Sequence, residues 1–194
     1  MSGVKDRVAL VTGAGSPEGI GFATARLLYS AGANIAITST TDRIKERQDE
    51  IEQTALNVFS SAADLTDSTA VNTLIEQIEN ELGPIEIVIN NAGMVQIGRD
   101  EPSTLFHEVS DEQWHYGIDI NLTSAFMVTR AVLPGMMERN YGRIINISSV
   151  TGPSVGIAGS SVYSAAKAGM LGMTPVSYTH LRAHETDSYL VCRL

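Results

Sequence analysis

The stretch that decides the fold is "VALVTGAGSPEGIG", residues 8–21. Residues 8–12 form a short continuous apolar run, the pattern of a strand buried on both faces. A glycine-rich turn follows, and residues 20–33, "IGFATARLLYSAGA", then have helical spacing. Glycines let a backbone turn tightly and approach a pyrophosphate closely. The start of the next helix aims free N–H groups and a positive dipole end at the phosphates. A strand before and a helix after are the context a phosphate-binding turn needs. The bland alternative is a plain strand-to-helix turn.

Working outward, the alternation continues. "NIAIT" (34–38) is a second strand, and "DRIKERQDEIEQTA" (42–55) a charged, exposed helix. "NVFSSAAD" (57–64) is a third strand. In "STAVNTLIEQIENEL" (68–82), Val71, Leu74, Ile75, Ile78 and Leu82 recur at helical spacing, and Gly83-Pro84 stops the helix. "IEIVIN" (85–90) is a fourth strand with the unbroken apolar character of a parallel sheet. Ser110 with Gln113 three residues on reads as a capping box, opening a helix predicted to run to about Asn140. "GRIINIS" (142–148) is a fifth strand, and a sixth helix is predicted from near Ser161. Strict strand–helix alternation means parallel strands, right-handed crossovers and helices on both faces. The predicted fold class is α/β: a Rossmann-like doubly wound parallel sheet in three αβα layers. Such sheets bind ligands at the carboxyl ends of their strands.

The bulk properties bound the function. A chain of 194 residues is one domain by default, and at that length folding hides roughly 70% of the surface. The net charge of −9 argues against a nucleic-acid surface, which needs a basic stripe, and against an anionic membrane. The longest apolar runs are too short to span a bilayer. The start "MSGVKDRVALVTG" has no long apolar core, so no signal peptide is expected. The single cysteine, Cys192, cannot form an internal disulfide, so the expected location is reducing and cytoplasmic.

Four motifs sit on these elements in order: "TGAGSPEGIG" (12–21), "NNAG" (90–93) at the end of the fourth strand, "ISS" (147–149) at the end of the fifth, and "YSAAK" (163–167) in the sixth helix. Asn121 lies in "INLTS" inside the long helix. Tyr-x-x-x-Lys alone is cheap; the set in this order is specific. Over about residues 4–174 the chain resembles the short-chain dehydrogenase/reductase family, and within it the 3-oxoacyl-acyl-carrier-protein reductase type. One departure stands out. Five residues separate Gly13 from Gly19, where the family pattern has three. A carboxylate pointing inward there would repel a pyrophosphate, so Glu18 is expected to face solvent.

The resemblance implies a nicotinamide-dependent oxidoreductase that reduces a ketone, 3-oxoacyl thioester-like, to the alcohol. Its implied catalytic residues are Ser149, Tyr163, Lys167 and Asn121. Ser149 would hydrogen-bond the substrate oxygen, with Ser148 its competitor, and Asn121 would hold a water that relays protons to Lys167. Tyrosine is a poor acid–base group at neutral pH, with an ordinary pKa of about 10. Lys167, four residues on, shares its helix face. An ammonium about 4 Å from a phenolate is worth on the order of 4 kcal/mol at an effective dielectric of 20, or roughly three pKa units. That coupling would bring Tyr163 toward operating pH. The plain alternatives are a surface Tyr–Lys pair and a capping serine.

The implied cofactor residues are Gly13, Ser16, Gly19, Ile20 and Gly21 in the first turn; Ser39, Thr40 and Arg43 after the second strand; Asp64 and Leu65 after the third; Asn91, Ala92 and Gly93 after the fourth; and Tyr163 and Lys167, the latter on the nicotinamide ribose. Asp64 would meet the adenine amino group; its alternative role is a helix cap. An acidic residue directly after the second strand would select NAD, and a nearby arginine NADP. Ser39 and Thr40 are not acidic and Arg43 is close, whereas Asp42 reads as a cap, so NADP is expected, with NAD the alternative. The expected partner is a small carbonyl or alcohol substrate, carrier-protein-bound in the reductase type. A homo-oligomer is expected of a complete family member. Alternative readings are a short-chain alcohol or sugar dehydrogenase using NAD, and a truncated, inactive dinucleotide-binding fragment.

No metal site is expected. "HLRAH" places His180 and His184 at i, i+4, with Cys192 beyond, but no firm fourth ligand is in sight. His107 and His115 read as surface residues, and Met170 and Met173 as core filler. From Pro175 the periodicity is lost. The proline is expected to end the helix at Thr174, dividing a catalytic domain (1–174) from a tail (175–194) that resembles read-through or adaptor sequence. Without a further strand, the fifth becomes an exposed edge.

Overall fold

The computed structural model describes residues 3–51, 57–93 and 104–180, with side chains described as far as Pro175. Five strands, β1 (Val8–Thr12), β2 (Asn34–Ser39), β3 (Val58–Ala62), β4 (Ile85–Asn90) and β5 (Arg143–Asn146), form one sheet in the order β3-β2-β1-β4-β5. Every neighbouring pair is parallel. The helices are α1 (Ile20–Ser30), α2 (Ile44–Ile51), α3 (Ser68–Leu82), α4 (Asp111–Ile118), α5 (Ser124–Glu138) and α6 (Ser161–His180). The expected doubly wound architecture is therefore the observed one. Strand order reverses between β1 and β4, so the crevice for a ligand opens at their carboxyl ends.

β1 is buried along its whole length, and its side chains alternate between two apolar layers. Ala9 and Val11 join Ile35, Ile37, Ile87 and Ile89 with Phe22 and Ala25 of α1 and Ile44 and Ile51 of α2. Val8 and Leu10 join Val88 with Val71, Leu74 and Ile78 of α3 and Val128, Val132 and Met136 of α5. Burial on both faces is why these strands read as unbroken apolar runs. Each fully buried Leu, Ile or Val contributes about 1.5–3 kcal/mol, so the sheet centre is the rigid frame of the site.

The helix ends follow their local chemistry. Ser110 and Gln113 form the expected capping box, and Gly83 ends α3 at φ +92°. The cap of α3 is Asp67, whose carboxylate accepts from the N–H groups of Thr69 and Ala70. Asp64 is not that cap; it turns back on the backbone N–H and hydroxyl of Thr66. Asp42 makes an exposed ion pair with Lys45 at 3.6 Å.

Three expectations are corrected. The long helix is broken by one π turn, Asp119–Thr123, between α4 and α5. There the Asn121 amide donates to the Gly117 carbonyl and the Ser124 hydroxyl to that of Ile120, and such side-chain bonds compete with the regular ladder. Second, α1 stops at Ser30 and β3 at Ala62, short of residues 33 and 64. Third, α6 does not stop at Thr174; it runs to His180 with Pro175 inside. The Thr174 hydroxyl donates to the Met170 carbonyl and accepts from the Asn146 amide. These bonds hold the residue that the proline would otherwise push out of the helical region. Residues 181–194, most of the expected tail, lie outside the described residues, as do the side chains of His180, His184 and Cys192. β5 pairs with β4 alone among the described residues, and Ile145 on it is 42% exposed. No described helix is long and apolar enough to cross a membrane.

Candidate active site

The first turn is locked to the end of β4. The Thr12 hydroxyl accepts from the backbone N–H groups of Asn91 and Ala92, and the Asn91 amide donates to the carbonyls of Thr12 and Gly13. Gly13 has φ +68°, and a Cβ on it would stand 2.8 Å from the Ala92 Cα. The turn therefore closes onto β4 only because residue 13 has no side chain. Gly15, which the motif reading passed over, abuts Ser39 at the end of β2 in the same way: a Cβ there would lie 2.8 Å from the Ser39 Cβ. The repeated glycines of the turn were the available signal.

A cleft of about 470 Å³ opens above this turn. Its walls carry Gly13, Ser16, Gly19 and Ile20 from the turn, Ser39, Thr40 and Arg43 from beyond β2, Asp64 and Leu65 from beyond β3, and Asn91, Ala92 and Gly93 from beyond β4. Twelve of the fifteen residues expected to hold a cofactor thus line one cavity. Gly21 lies behind it, pressed against the Gly13 carbonyl and the Asn91 amide. Glu18 is exposed, as expected, and also stands on the cleft wall. Ala63, Thr66, Ile120 and Ser124 line it as well; no motif pointed to them.

The N-terminus of α1 borders this cleft. Its cap residue, Gly19, offers no side-chain hydrogen bond, and its first turn holds no acidic residue. The starts of α3 and α4 are closed by Asp67 and Ser110; that of α1 is left open to an anion. Open N–H groups and a glycine cradle fit a dinucleotide pyrophosphate.

A second cleft, of about 280 Å³, lies beside the first, and Gly93 and Ile120 line both. Tyr163 stands on its wall with Asn121, Gln113, Gly117 and Val162. Gln113, Gly117 and Asn121 follow at four-residue steps along α4 and the π turn, a helical face that sequence periodicity could have flagged.

Beneath Tyr163 lies Lys167, 4% exposed. Its ammonium donates to the Ile147 carbonyl at 2.9 Å and lies 5.7 Å from the centroid of the Tyr163 ring. Burial lowers its pKa from 10.5 to about 8, because a buried ammonium loses hydration. Asn121, 4% exposed, has an Oδ1 with no hydrogen-bond partner among the described residues. A Cβ on Gly93 would lie 2.8 Å from that Oδ1 and 3.1 Å from the Lys167 Nζ. Gly93 thus brings the Asn121 carbonyl oxygen and the Lys167 ammonium to the joint between the clefts.

The two serines differ. The Ser148 hydroxyl donates to the Lys167 backbone carbonyl at 2.8 Å. Ser149 accepts from the Thr151 N–H at 3.1 Å, which leaves its own hydroxyl proton to be donated elsewhere. Ser149 is half-buried in the turn after β5 and is not on the wall of either cleft. His107 and His115 are exposed, Met170 is buried and Met173 half-buried, as expected.

A glycine turn at the switch point, an open helix start and a polar cluster beside a second cleft define a dinucleotide-binding α/β protein. The sequence model of the short chain dehydrogenase family matches residues 7–192, and the chain belongs to that family. It is 40% identical over 176 residues to the 3-oxoacyl-[acyl-carrier-protein] reductase FabG of Haemophilus influenzae, covering 88% of this chain and 66% of that protein. It is 42% identical over 168 residues to the acetoacetyl-CoA reductase of Paracoccus denitrificans, covering 87% and 64%. The solved structure of a candidate gluconate dehydrogenase from Agrobacterium tumefaciens superposes with a TM-score of 0.81 at 30% identity, over 91% of this chain and 66% of that one. The chain thus spans just under two-thirds of the length of these relatives.

Proposed function

We propose that this site reduces a ketone to an alcohol with NADPH, and that 3-oxoacyl thioesters are its substrate class. The observation that carries the reading is the meeting at Gly93 of a nucleotide-sized cleft and a smaller one holding Tyr163, with Asn121 and Lys167 at the joint. The names of the relatives, 3-oxoacyl and acetoacetyl-CoA reductases, support the substrate class. For NADP over NAD the support is Arg43 on the cleft wall, with Ser39 and Thr40 in place of an acid.

The reduced nicotinamide, when bound, supplies the hydride. The protein does the rest. Ser149 hydrogen-bonds the carbonyl oxygen and stabilises the charge that develops there. The Tyr163 hydroxyl gives its proton to that oxygen as the carbonyl π pair moves onto it. Lys167 favours the resulting phenolate and holds the nicotinamide ribose. Asn121 holds a water that relays protons to Lys167. With a pKa of about 8, Lys167 is protonated at neutral pH yet close enough to its midpoint to exchange the proton.

A second reading, nucleotide binding without turnover, is favoured by β5 pairing with β4 alone among the described residues and by the exposed Ile145. One experiment separates the two: nucleotide titration of the purified chain, followed by ketone-dependent oxidation of NADPH. Binding with turnover supports the reductase; binding without it supports the second reading; failure of both nucleotides to bind defeats each.

A further inference from the structure

Two glycines on other elements grip the first turn of α6, the helix that carries Tyr163 and Lys167. On α4, a Cβ at Gly117 would stand 2.5 Å from the Val162 Cγ1 and 3.3 Å from its Cβ. Val162 is branched at Cβ and strongly prefers one rotamer in a helix, so it does not swing aside. In the turn after β5, Gly152 has φ +104°, and a Cβ there would lie 2.8 Å from the Ser164 Cα. That neighbour is main chain and yields only if α6 moves. Tyr163 stands between Val162 and Ser164 in the chain, so both contacts bear on it. The helix runs on from α4 through the π turn into α5, and a glycine inside a helix is costly beside alanine. At Gly117 the close approach of α6 accounts for it. Gly172, exposed on α6 itself, meets nothing within 4 Å.

We propose that Gly117 and Gly152 are positioning residues: by letting α4 and the β5 turn close onto the first turn of α6, they set Tyr163 against Asn121 and Ser149. The proposal rests on the ketone-reductase reading above, in which those three side chains act together, and adds what holds them in register. Gly117 is tied to Asn121 directly, because its carbonyl accepts from the Asn121 amide at 3.0 Å. Gly152 is tied to Ser149 through Thr151, whose N–H donates to the Ser149 hydroxyl at 3.1 Å. Its turn is closed by its own N–H donating to the Val155 carbonyl at 2.8 Å, and by the N–H groups of Ser154 and Val155 donating to the Val150 carbonyl at 3.0 Å. Each glycine thus fixes the proton donor to one of its partners. Proton transfer needs heavy atoms about 2.6–3.2 Å apart, and a misplacement of about 1 Å can cost about 10²-fold. Neither glycine lines the nucleotide cleft, so replacing either should spare nucleotide binding.

The test uses the full chain and reads kcat and KM for ethyl acetoacetate with NADPH, NADP⁺ affinity by fluorescence titration, and stability in urea. Gly117→Ala should lower kcat at least about tenfold, with NADP⁺ affinity within about threefold of the parent. Adding Val162→Ala removes the obstructing methyl and should bring kcat back to within about threefold of the parent. Gly152→Ala meets main chain and should lose at least as much as Gly117→Ala. Gly172→Ala, the same change where there is room, should leave kcat unchanged. Should Gly117→Ala fail to fold, Val162→Ala alone decides: it opens the contact and should lower kcat about threefold or more, and an unchanged kcat overturns the proposal. So does a Gly117→Ala that loses stability yet keeps its kcat, one that raises only KM, or a loss that Val162→Ala does not relieve. Those results leave the reductase reading standing. A parent that binds NADP⁺ and reduces no ketone removes that reading, and this proposal with it.

Discussion

The two halves of the site are held by different means. The nucleotide half hangs on β1, β2 and β4, whose side chains fill two apolar layers, and its turn is shaped by glycines and backbone. The proposed catalytic half hangs on β5, a four-residue strand that pairs with β4 alone among the described residues and has alternating partial exposure, and on α6. Those two elements are stitched by polar bonds: Asn146 amide to Thr174 hydroxyl, Lys167 ammonium to Ile147 carbonyl, Ser148 hydroxyl to Lys167 carbonyl. Asn90 extends the stitching into β4 by donating to Asn146 at 2.8 Å. Apolar burial is non-directional and tolerates rearrangement; hydrogen bonds fix direction and distance. The nucleotide half is therefore built to be stable, and the catalytic half to be exact in geometry at some cost in stability.

The largest break in this comparison should come from Tyr163→Phe. A positioned acid–base group contributes about 10²–10⁴-fold, so ketone reduction should fall by that order. Nucleotide affinity should stay within about twofold of the parent, because removing one hydroxyl leaves the backbone cradle intact. Rate and affinity falling together would mean that the halves are not separable. Steady-state kinetics beside a fluorescence titration gives both.

Gly93→Ala attacks the joint instead. Its φ is +148°, and the new methyl would press on both Asn121 Oδ1 and Lys167 Nζ. A side chain forced into such a conformation costs about 1–3 kcal/mol, so both nucleotide affinity and ketone reduction should fall by about tenfold or more. A loss confined to one of them would show that Gly93 serves that cleft alone.

Lys167→Met separates stability from function. The folded pKa of Lys167, about 8, lies below its unfolded 10.5, so the unfolded chain binds the extra proton between those values and stability rises with pH. The burial penalty is complete below about pH 8 and gone above 10.5. At pH 7 it is on the order of 3 kcal/mol, partly offset in the variant by the unpaired Ile147 carbonyl. The variant should be more resistant to urea than its parent at pH 7, the gain shrinking as pH rises through 8 toward 10.5, while catalysis is lost. A gain that is independent of pH would show that the ammonium is not strained by burial.

How much of this was legible in the sequence follows the same division. Strands β1 and β4 could be read because two-sided burial writes an unbroken apolar run, and the helix from Ser110 because a capping box is local. Tyr163, Lys167 and Asn121 could be named from their motifs, but the device presenting Asn121 could not. Its π turn depends on carbonyls at Gly117 and Ile120 being taken by side chains, which no period reveals. The same limit applies to α6. Proline's preference for ending a helix is local, and it was overridden by Thr174 bonds to Met170 and to Asn146 on another element. Asp64 reads as a possible cap, yet the residue that caps α3 is Asp67; only the three-dimensional path of the turn decides this.

Arg43→Ala sharpens the reading of the nucleotide half. Arg43 is exposed, and its guanidinium is engaged with the Thr41 hydroxyl at 3.3 Å. Charge-assisted hydrogen bonds to a ribose phosphate are worth about 1.5–3 kcal/mol, so the variant should lose about tenfold or more of its preference for NADPH over NADH, with NADH affinity little changed. A parent that already prefers NADH would sink the NADP assignment, whatever the variant does.

The smallest effect expected is also the most diagnostic of the stitched half. Ser148→Ala removes one hydrogen bond from the seam between β5 and α6, worth about 1 kcal/mol, and leaves the Lys167 carbonyl its place in the helix. Stability should therefore fall only slightly. Yet that bond fixes the turn carrying Lys167 against the strand whose Ile147 carbonyl receives the ammonium. With the seam loosened, water reaches the ammonium more easily, and its pKa should climb from about 8 toward the ordinary lysine value, as relief of burial requires. Ser148→Thr keeps the hydroxyl and should hold the parent value. NMR titration of the Lys167 side chain reads the shift without any need for turnover. If Ser148→Ala loses stability but leaves the lysine titrating where it did, the seam is ordinary packing, and the contrast between the two halves is one of burial alone.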